Sequence, residues 1–433
     1  MRQGDISDIR RFYYRYFLWV LLFAACGMLT ICVYGQLQKA VPDSLNIRQG
    51  EEEKLKFFVP VSAAIYEDSV LASGLGGVQS EKTEMKKIEV DTTRAMVRKA
   101  NEYNYYQMDL KLFGVIPLKT VDLNVLTERS IYPVGLPIGI YVKTNGVLVV
   151  DMSSFENRDG MNVEPAKHVL QKGDYILKVN EEPVGGKQEL ISKIRQSGGE
   201  DLIFTLLRNG AETKVRCTPE LADDGEYKLG IWIRDSAQGI GTLTYLDENG
   251  RYGALGHGIN DVDTNALMLL KYGGIYRADI VGIEKGKSGH PGVLTGVISF
   301  EDEYQLGNVT ENTQGGIFGQ LSGSEKNSLG LTGMPIALKQ EIRIGDAKIL
   351  CKIGETSKLY DVEITKVHYS SEDDNRGIVL AITDQELLSL TGGIVQGMSG
   401  APIIQDGKVV GAVTHVLIND PTRGYGIFIE NML

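Results

Sequence analysis

Two glycine-rich stretches hold the residue types that peptide-bond chemistry needs. The first, YGALGHGINDVDT, sets His257 between two glycines, and the second, GGIVQGMSGAPIIQDGKVVGAVTH, runs from Gly392 to His415 with Ser399 inside Gly-Met-Ser-Gly. A serine hydroxyl is a weak nucleophile at neutral pH until a base takes its proton. The oxyanion that forms on an attacked carbonyl needs donors aimed at it. Glycine at 397 permits dihedrals that turn its N–H inward beside that of Ser399, so Gly397 and Ser399 are the expected oxyanion donors. A Gly-x-Ser-Gly turn is also common as plain structure. Gly-x-Ser-Gly-x-Pro leading into strand, turn and strand, with a glycine-flanked histidine upstream by the length of a barrel and a linker, is more specific. It makes Ser399 the candidate nucleophile and His257 the candidate base. The returning strand, Val409 to His415, would run along the cleft and pair with extended substrate. The acid that would orient His257 is open on sequence grounds. Asp261 and Asp263 lie close to it, Asp279 is possible, and Asp384 follows the apolar strand Ile378 to Ile382. Asp384 serves equally well as the N-cap of a short helix from Gln385 to Leu390.

Other chemistries find little footing. None of the five histidines lies in His-Glu-x-x-His and no Cys/His cluster occurs, so no metal or other cofactor is expected. The four cysteines, Cys26, Cys32, Cys217 and Cys351, form no Cys-x-x-Cys pair, which argues against a disulfide framework and a structural zinc site. GIEKGKS at 282–288 is one residue short of a phosphate loop and precedes no helical pattern; it reads as a loop. The net charge of -11 with no basic block is a poor footprint for nucleic acid. The tryptophans number two, too few for the aromatic platforms of a carbohydrate binder.

The elements that must position these residues follow from glycine and apolar patterning. Glycine is 51 of 433 residues, well above the usual ~7%, and it splits many short apolar runs. From 225 to 433 these runs include LGIWIRD, GIGTLTYLD, AKILCKI, DVEITKV and GKVVGAVTHVLI, the pattern of an all-β barrel or pair of barrels. Residues 114–220 carry Gly-Asp-x-Ile-x-x-x-Asn, a helical pattern at Leu190, Ile191 and Ile194, and a hairpin at Asn209-Gly210. That order resembles a PDZ domain of the kind attached to bacterial proteases. Such a domain adds an extended peptide to a sheet edge beside a helix. Its carboxylate-holding loop would fall on Gly135, Leu136, Gly139 and Ile140, although Pro137 removes one N–H there. Residues 36–113 read as linker and a small strand-containing region. Residues 1–35 read as a cytoplasmic tail and an uncleaved signal anchor: Arg10, Arg11 and Arg15 precede the apolar run 17–33, and basic flanks stay inside. The fold class expected is therefore mainly β, with a PDZ unit, a chymotrypsin-like double β-barrel and an N-terminal membrane anchor.

GALGHGINDVDT, WIRDSAQGIGTLTY, IFG and ITDQELLSLTGGIVQGMSGAPIIQDGKVVGAVTHVLINDPTRGYGIFIE together resemble the stage IV B serine peptidases of endospore-forming bacteria. The resemblance covers the anchor, the PDZ-like unit and the C-terminal domain. By it the family's histidine falls on His257, its nucleophile on Ser399, its essential aspartate on Asp384 and an important threonine on Thr414. Ala401 stands where serine is usual, and Gly258 where a larger residue can occur. The resemblance implies a protease of the inner forespore membrane, facing the space between forespore and mother cell. It would release itself by cutting its own N-terminal region. It would then cut a membrane regulatory protein that restrains a membrane-embedded metalloprotease, so that a mother-cell sigma factor is processed. Its partners would thus be protein substrates, itself included, and the membrane. Exposed unpaired segments are the usual targets of cleavage, which places self-cleavage in the charged stretch from Gln36 to Glu102. The rival expectation is a catalytically dead peptide-binding scaffold.

Overall fold

The structure is a computed structural model, and it describes residues 3–48, 53–54, 61–68, 88–90, 96–97, 105–126, 129–323, 331–354, 356–369 and 374–433. The chain divides into two compact units, one made mainly of residues 1–128 and the other mainly of residues 129–433.

The first unit begins with a single helix, Gln3–Ala40. Within it Phe12–Lys39 is long and apolar enough to cross a membrane, and its apolar window is wholly exposed, as a lipid-facing or signal segment requires. The apolar run 17–33 thus sits inside a longer helix. Residues 36–48 are not a linker: the helix extends to Ala40 and Ser44–Arg48 pairs in parallel with the end of Ile116–Leu126. Val41, Leu45 and Ile47 are buried with Met108, Leu110 and Val121 in the core of a five-stranded sheet. Apolar residues at alternate positions, too few for a periodic pattern, hid this strand in a polar-looking stretch. Most of the expected self-cleavage stretch, including residues 69–87, lies outside the described residues.

The second unit is built from two barrels and an insert. Strands Ser130–Met152, Ile231–Leu246, Arg251–Ala254, Gly316–Leu321, Gln305–Thr313 and Leu270–Glu284 pair in that order, and the last pairs back onto Ser130–Met152. Inward-facing Ile138, Ile140, Leu243, Tyr252, Ile275 and Ile317 fill this first barrel. The second barrel closes through Gly345–Lys352, Ser357–Val367, Ile378–Ile382, Asp420–Phe428, Lys408–Leu417 and Pro402–Gln405. Its strands alternate as half-buried strands must: in Ser357–Val367, Tyr360, Val362 and Ile364 turn inward while Leu359, Asp361 and Glu363 face out. Tyr245 and Phe318 of the first barrel pack with Val409, Ala412 and Ile427 of the second, so the two share a seam of core.

The insert corrects the domain boundaries expected from sequence. The first barrel does not begin near 225. Its opening strand is residues 130–145, and the strand–helix module lies between that strand and its partner Ile231–Leu246. The module spans the end of Ser130–Met152, strands Tyr175–Val179, Leu202–Arg208 and Ala211–Cys217, and helix Lys187–Gln196. The helix buries Leu190 and Ile194 against Ile176, Phe204 and Leu206. Gly135, Leu136, Gly139 and Ile140 are therefore barrel strand and not a carboxylate-holding loop: Leu136 faces Leu243 and Ile140 faces Gly239. Gly135 is glycine for a different reason. Its φ is +66, and a Cβ there would lie 2.4 Å from the Leu350 carbonyl oxygen of the second barrel.

Candidate functional site

The seam between the barrels opens into a cleft of about 500 Å³ lined by residues from both, among them His257, Gly397, Ser399, Thr414 and His415. Ser399 and His257, far apart in sequence, are thus brought to one surface. Ser399 sits in the turn that leads into Pro402–Gln405 and the returning strand Lys408–Leu417. Two of the four residues after Ile394-Val395-Gln396 take forms that suit this turn: Gly397 has φ +101 and Gly400 has φ +99, left-handed values that glycine adopts readily.

The donors in this turn are divided. Met398 N donates to Val395 O (3.1 Å), Gly400 N to Val413 O (2.7 Å) and Ala401 N to Met398 O (2.9 Å). Among the described residues, no protein acceptor takes the N–H of Gly397 or of Ser399. Buried backbone N–H groups nearly always find a partner in protein or water; these two donors, one on each side of Met398, are left free of protein acceptors in the turn that lines the cleft.

His257 follows Leu255 and Gly256, both with φ +71. A left-handed leucine is strained, and such strain gathers where geometry matters for function. Nδ1 of His257 lies 2.9 Å from the Gly258 carbonyl. A carbonyl only accepts, so Nδ1 carries the proton and Nε2 is left as the acceptor, the tautomer of a general base. Burial pushes the His257 imidazole below its usual 6.5, and the Gly258 contact opposes this only in part. Ser399 Oγ donates to the Thr414 carbonyl at 2.7 Å, a resting geometry of the kind that substrate rearranges. Thr414 itself is buried, and its Oγ1 donates to Asn375 O at 2.6 Å. The ring of His415 lies 5.0 Å from that of His257, tilted by 35°.

None of the four aspartates considered for a triad reaches His257. Asp384 Oδ1 accepts from Leu387 N at 2.9 Å, capping helix Gln385–Thr391, and Oδ2 accepts from Asp361 N at 3.3 Å. It does not line the cleft. Of the two roles open on sequence, the structure shows the cap. Asp261 is buried and paired with Arg234, and its Oδ1 accepts from Asp263 N and Thr264 N. Burial alone would raise its carboxyl, but the Thr264 and Arg234 hydrogen bonds hold it below the usual range. Asp261 thus pins the loop after His257, with Asp263 bonded to the same Arg234. Asp279 is on an exposed stretch of strand opposite Val297.

Sequence reading missed Thr242. It donates from its backbone N to Ser399 O (2.9 Å) and from Oγ1 to Gly397 O (2.8 Å). The only signal was a pair of threonines, Thr242 and Thr244, in the apolar strand GIGTLTY. Among the described residues no group of three or more His, Cys, Asp and Glu is placed to hold a metal ion. A second hollow, of about 420 Å³, lies in the insert between Ile191, Ile194 and Arg195 of the helix and residues 226–233. Among the described residues, no strand pairs with the edge of Ile231–Ile233 away from residues 149–152.

No curated protein matches the chain. Residues 225–433 match the family described as SpoIVB peptidase S55. That span holds His257, Ser399 and every cleft residue except Ile140. Two barrels, a cleft presenting serine, histidine and unused N–H donors, and this match agree, and the chain carries a SpoIVB-type sporulation serine peptidase domain over residues 225–433.

Proposed function

We propose that the chain is a membrane-anchored endopeptidase in which Ser399 attacks the scissile carbonyl and His257 takes its proton at Nε2 and returns it to the leaving amine. The N–H groups of Gly397 and Ser399 receive the oxyanion. Those two unused donors, beside a serine and a histidine in one cleft, are the observation that carries the reading. The Gly258 carbonyl holds the histidine tautomer, the task a carboxylate performs in a triad. Thr414 supports the nucleophile by accepting its hydroxyl at rest. A dead scaffold would have no use for this arrangement.

The family match supports a place in sporulation, and the apolar helix supports an anchor. On this reading the enzyme sits in the inner forespore membrane with its N-terminus inside. It cuts itself within residues 36–102, and cuts a membrane regulatory protein so that a mother-cell sigma factor is processed. The insert takes the role of the PDZ unit. Its hollow beside an unpaired strand edge suits an extended peptide added to that edge, with residues 226–233 in place of the Gly135–Ile140 segment.

The test is the intact mass of the full chain in detergent micelles, followed over time for wild type and Ser399→Ala. Wild type is expected to shed an N-terminal fragment with the cut inside residues 36–102, while Ser399→Ala stays whole. Equal persistence of both chains contradicts the reading.

A further inference from the structure

We infer that Thr242, on the first barrel, is the positioning residue that sets the oxyanion donors of the second; the inference rests on the reading of Ser399 as nucleophile. Thr242 is 2% exposed and touches both halves of the site. Its Oγ1 holds the Gly397 carbonyl at 2.8 Å, and its N–H holds the Ser399 carbonyl at 2.9 Å. Those carbonyls belong to the peptide planes on either side of the plane that carries the Ser399 N–H. With both neighbours fixed, that N–H cannot rotate out of the cleft. The Gly397 carbonyl bond also fixes one end of Gly397, whose own N–H is the second donor.

The same residue sets the base. The Thr242 carbonyl accepts from Leu255 N at 3.2 Å, two residues before His257 and at the strained φ of +71. One buried threonine therefore registers the nucleophile turn against the histidine loop across the seam. The approach is so close that a Cβ at Gly400 would lie 2.1 Å from the Thr242 oxygen. Of the three bonds, two are backbone and available to any residue but proline on the donor side. The bond from Oγ1 to Gly397 O needs a hydroxyl. Without it the Gly397 carbonyl loses its partner in a buried place, and a peptide plane with an unsatisfied carbonyl turns to find another.

The test uses a fluorophosphonate probe on the full chain in detergent micelles. Ser399 Oγ bonds to phosphorus, fluoride leaves, the hydroxyl proton passes to His257, and the phosphoryl oxygen occupies the oxyanion position. Saturation kinetics separate the bonding rate constant from the probe's apparent affinity. Thr242→Val removes only the hydroxyl in near-constant volume. It is expected to slow the bonding step by about tenfold or more while apparent affinity stays within about twofold, and Thr242→Ser is expected to restore most of the rate. A bonding rate within about twofold of wild type in Thr242→Val, or a Thr242→Ser chain as slow as Thr242→Val, overturns the inference. If Thr242→Val shows no cooperative melting, Thr242→Ser against Thr242→Ala decides it by the same criteria. A wild-type Ser399 that takes no label counts against the nucleophile reading itself.

Discussion

At the scale of single residues, the candidate site differs from the triad pattern in one respect: a backbone carbonyl, that of Gly258, lies against His257 Nδ1 where a carboxylate is usual. That His257 and Ser399 line one cleft was legible in sequence, because glycines near each on both sides announce unusual backbone, and few structural turns need that twice. Asp384 was not decidable. An aspartate one residue before a helix and two after an apolar strand satisfies both a capping and a catalytic reading, and only its bonds to Leu387 N and Asp361 N separate them. Serine caps about as well as aspartate, while alanine costs about 0.5–2 kcal/mol. Asp384→Ser is therefore expected to keep peptidase activity within about threefold of wild type, and Asp384→Ala to lower the unfolding midpoint by about 1 kcal/mol of stability. Activity and urea midpoint measured on both variants check this. Loss of activity in a stable Asp384→Ser chain would return the residue to catalysis.

At the scale of elements, the long strands Ser130–Met152 and Ile231–Leu246 do most of the positioning. Each spans both the insert and the first barrel. Ile231 and Ile233 wall the hollow beside the helix, and further along the same strand Gln238 and Ile240 line the cleft and Thr242 Oγ1 donates to Gly397 O in the Ser399 turn. Short apolar runs broken by glycine correctly foretold barrels, because that pattern is local. The first barrel's opening strand was misassigned because its partners, residues 231–246 and 270–277, are remote in sequence, and a local pattern cannot say which sheet a strand joins. YPVGLPIGIYVKT has the glycines of a loop and the alternation of a strand. The clash of a Cβ at Gly135 with the Leu350 carbonyl shows which reading the packing selects. Gly135→Ala is expected to destabilise the fold by about 2 kcal/mol or more, from the left-handed φ and the displaced neighbour. Equilibrium urea unfolding measures it. An unchanged midpoint would mean that residue 135 is a free loop position after all.

At the scale of the whole molecule, the parts form an order that chemistry can use: an apolar helix at the N-terminus, a small sheet after it, then two barrels with a strand–helix module inserted in the first. The mainly β class and the double barrel were expected from composition and turn spacing. The insertion was not, since nothing local marks a chain that leaves a barrel after one strand and returns to it later. The central claim is that Ser399 is made reactive by a buried, neutral His257. Fluorophosphonate labelling of the full chain, mapped by tandem mass spectrometry and timed across pH, tests it most directly. Burial lowers the His257 pKa from 6.5, so the base form persists as pH falls and its loss comes only below that value. The expected result is a single adduct on Ser399, a labelling rate whose acid limb lies below pH 6.5, and loss of labelling in His257→Gln. Labelling at another residue, or labelling of Ser399 at an undiminished rate in His257→Gln, would contradict the claim.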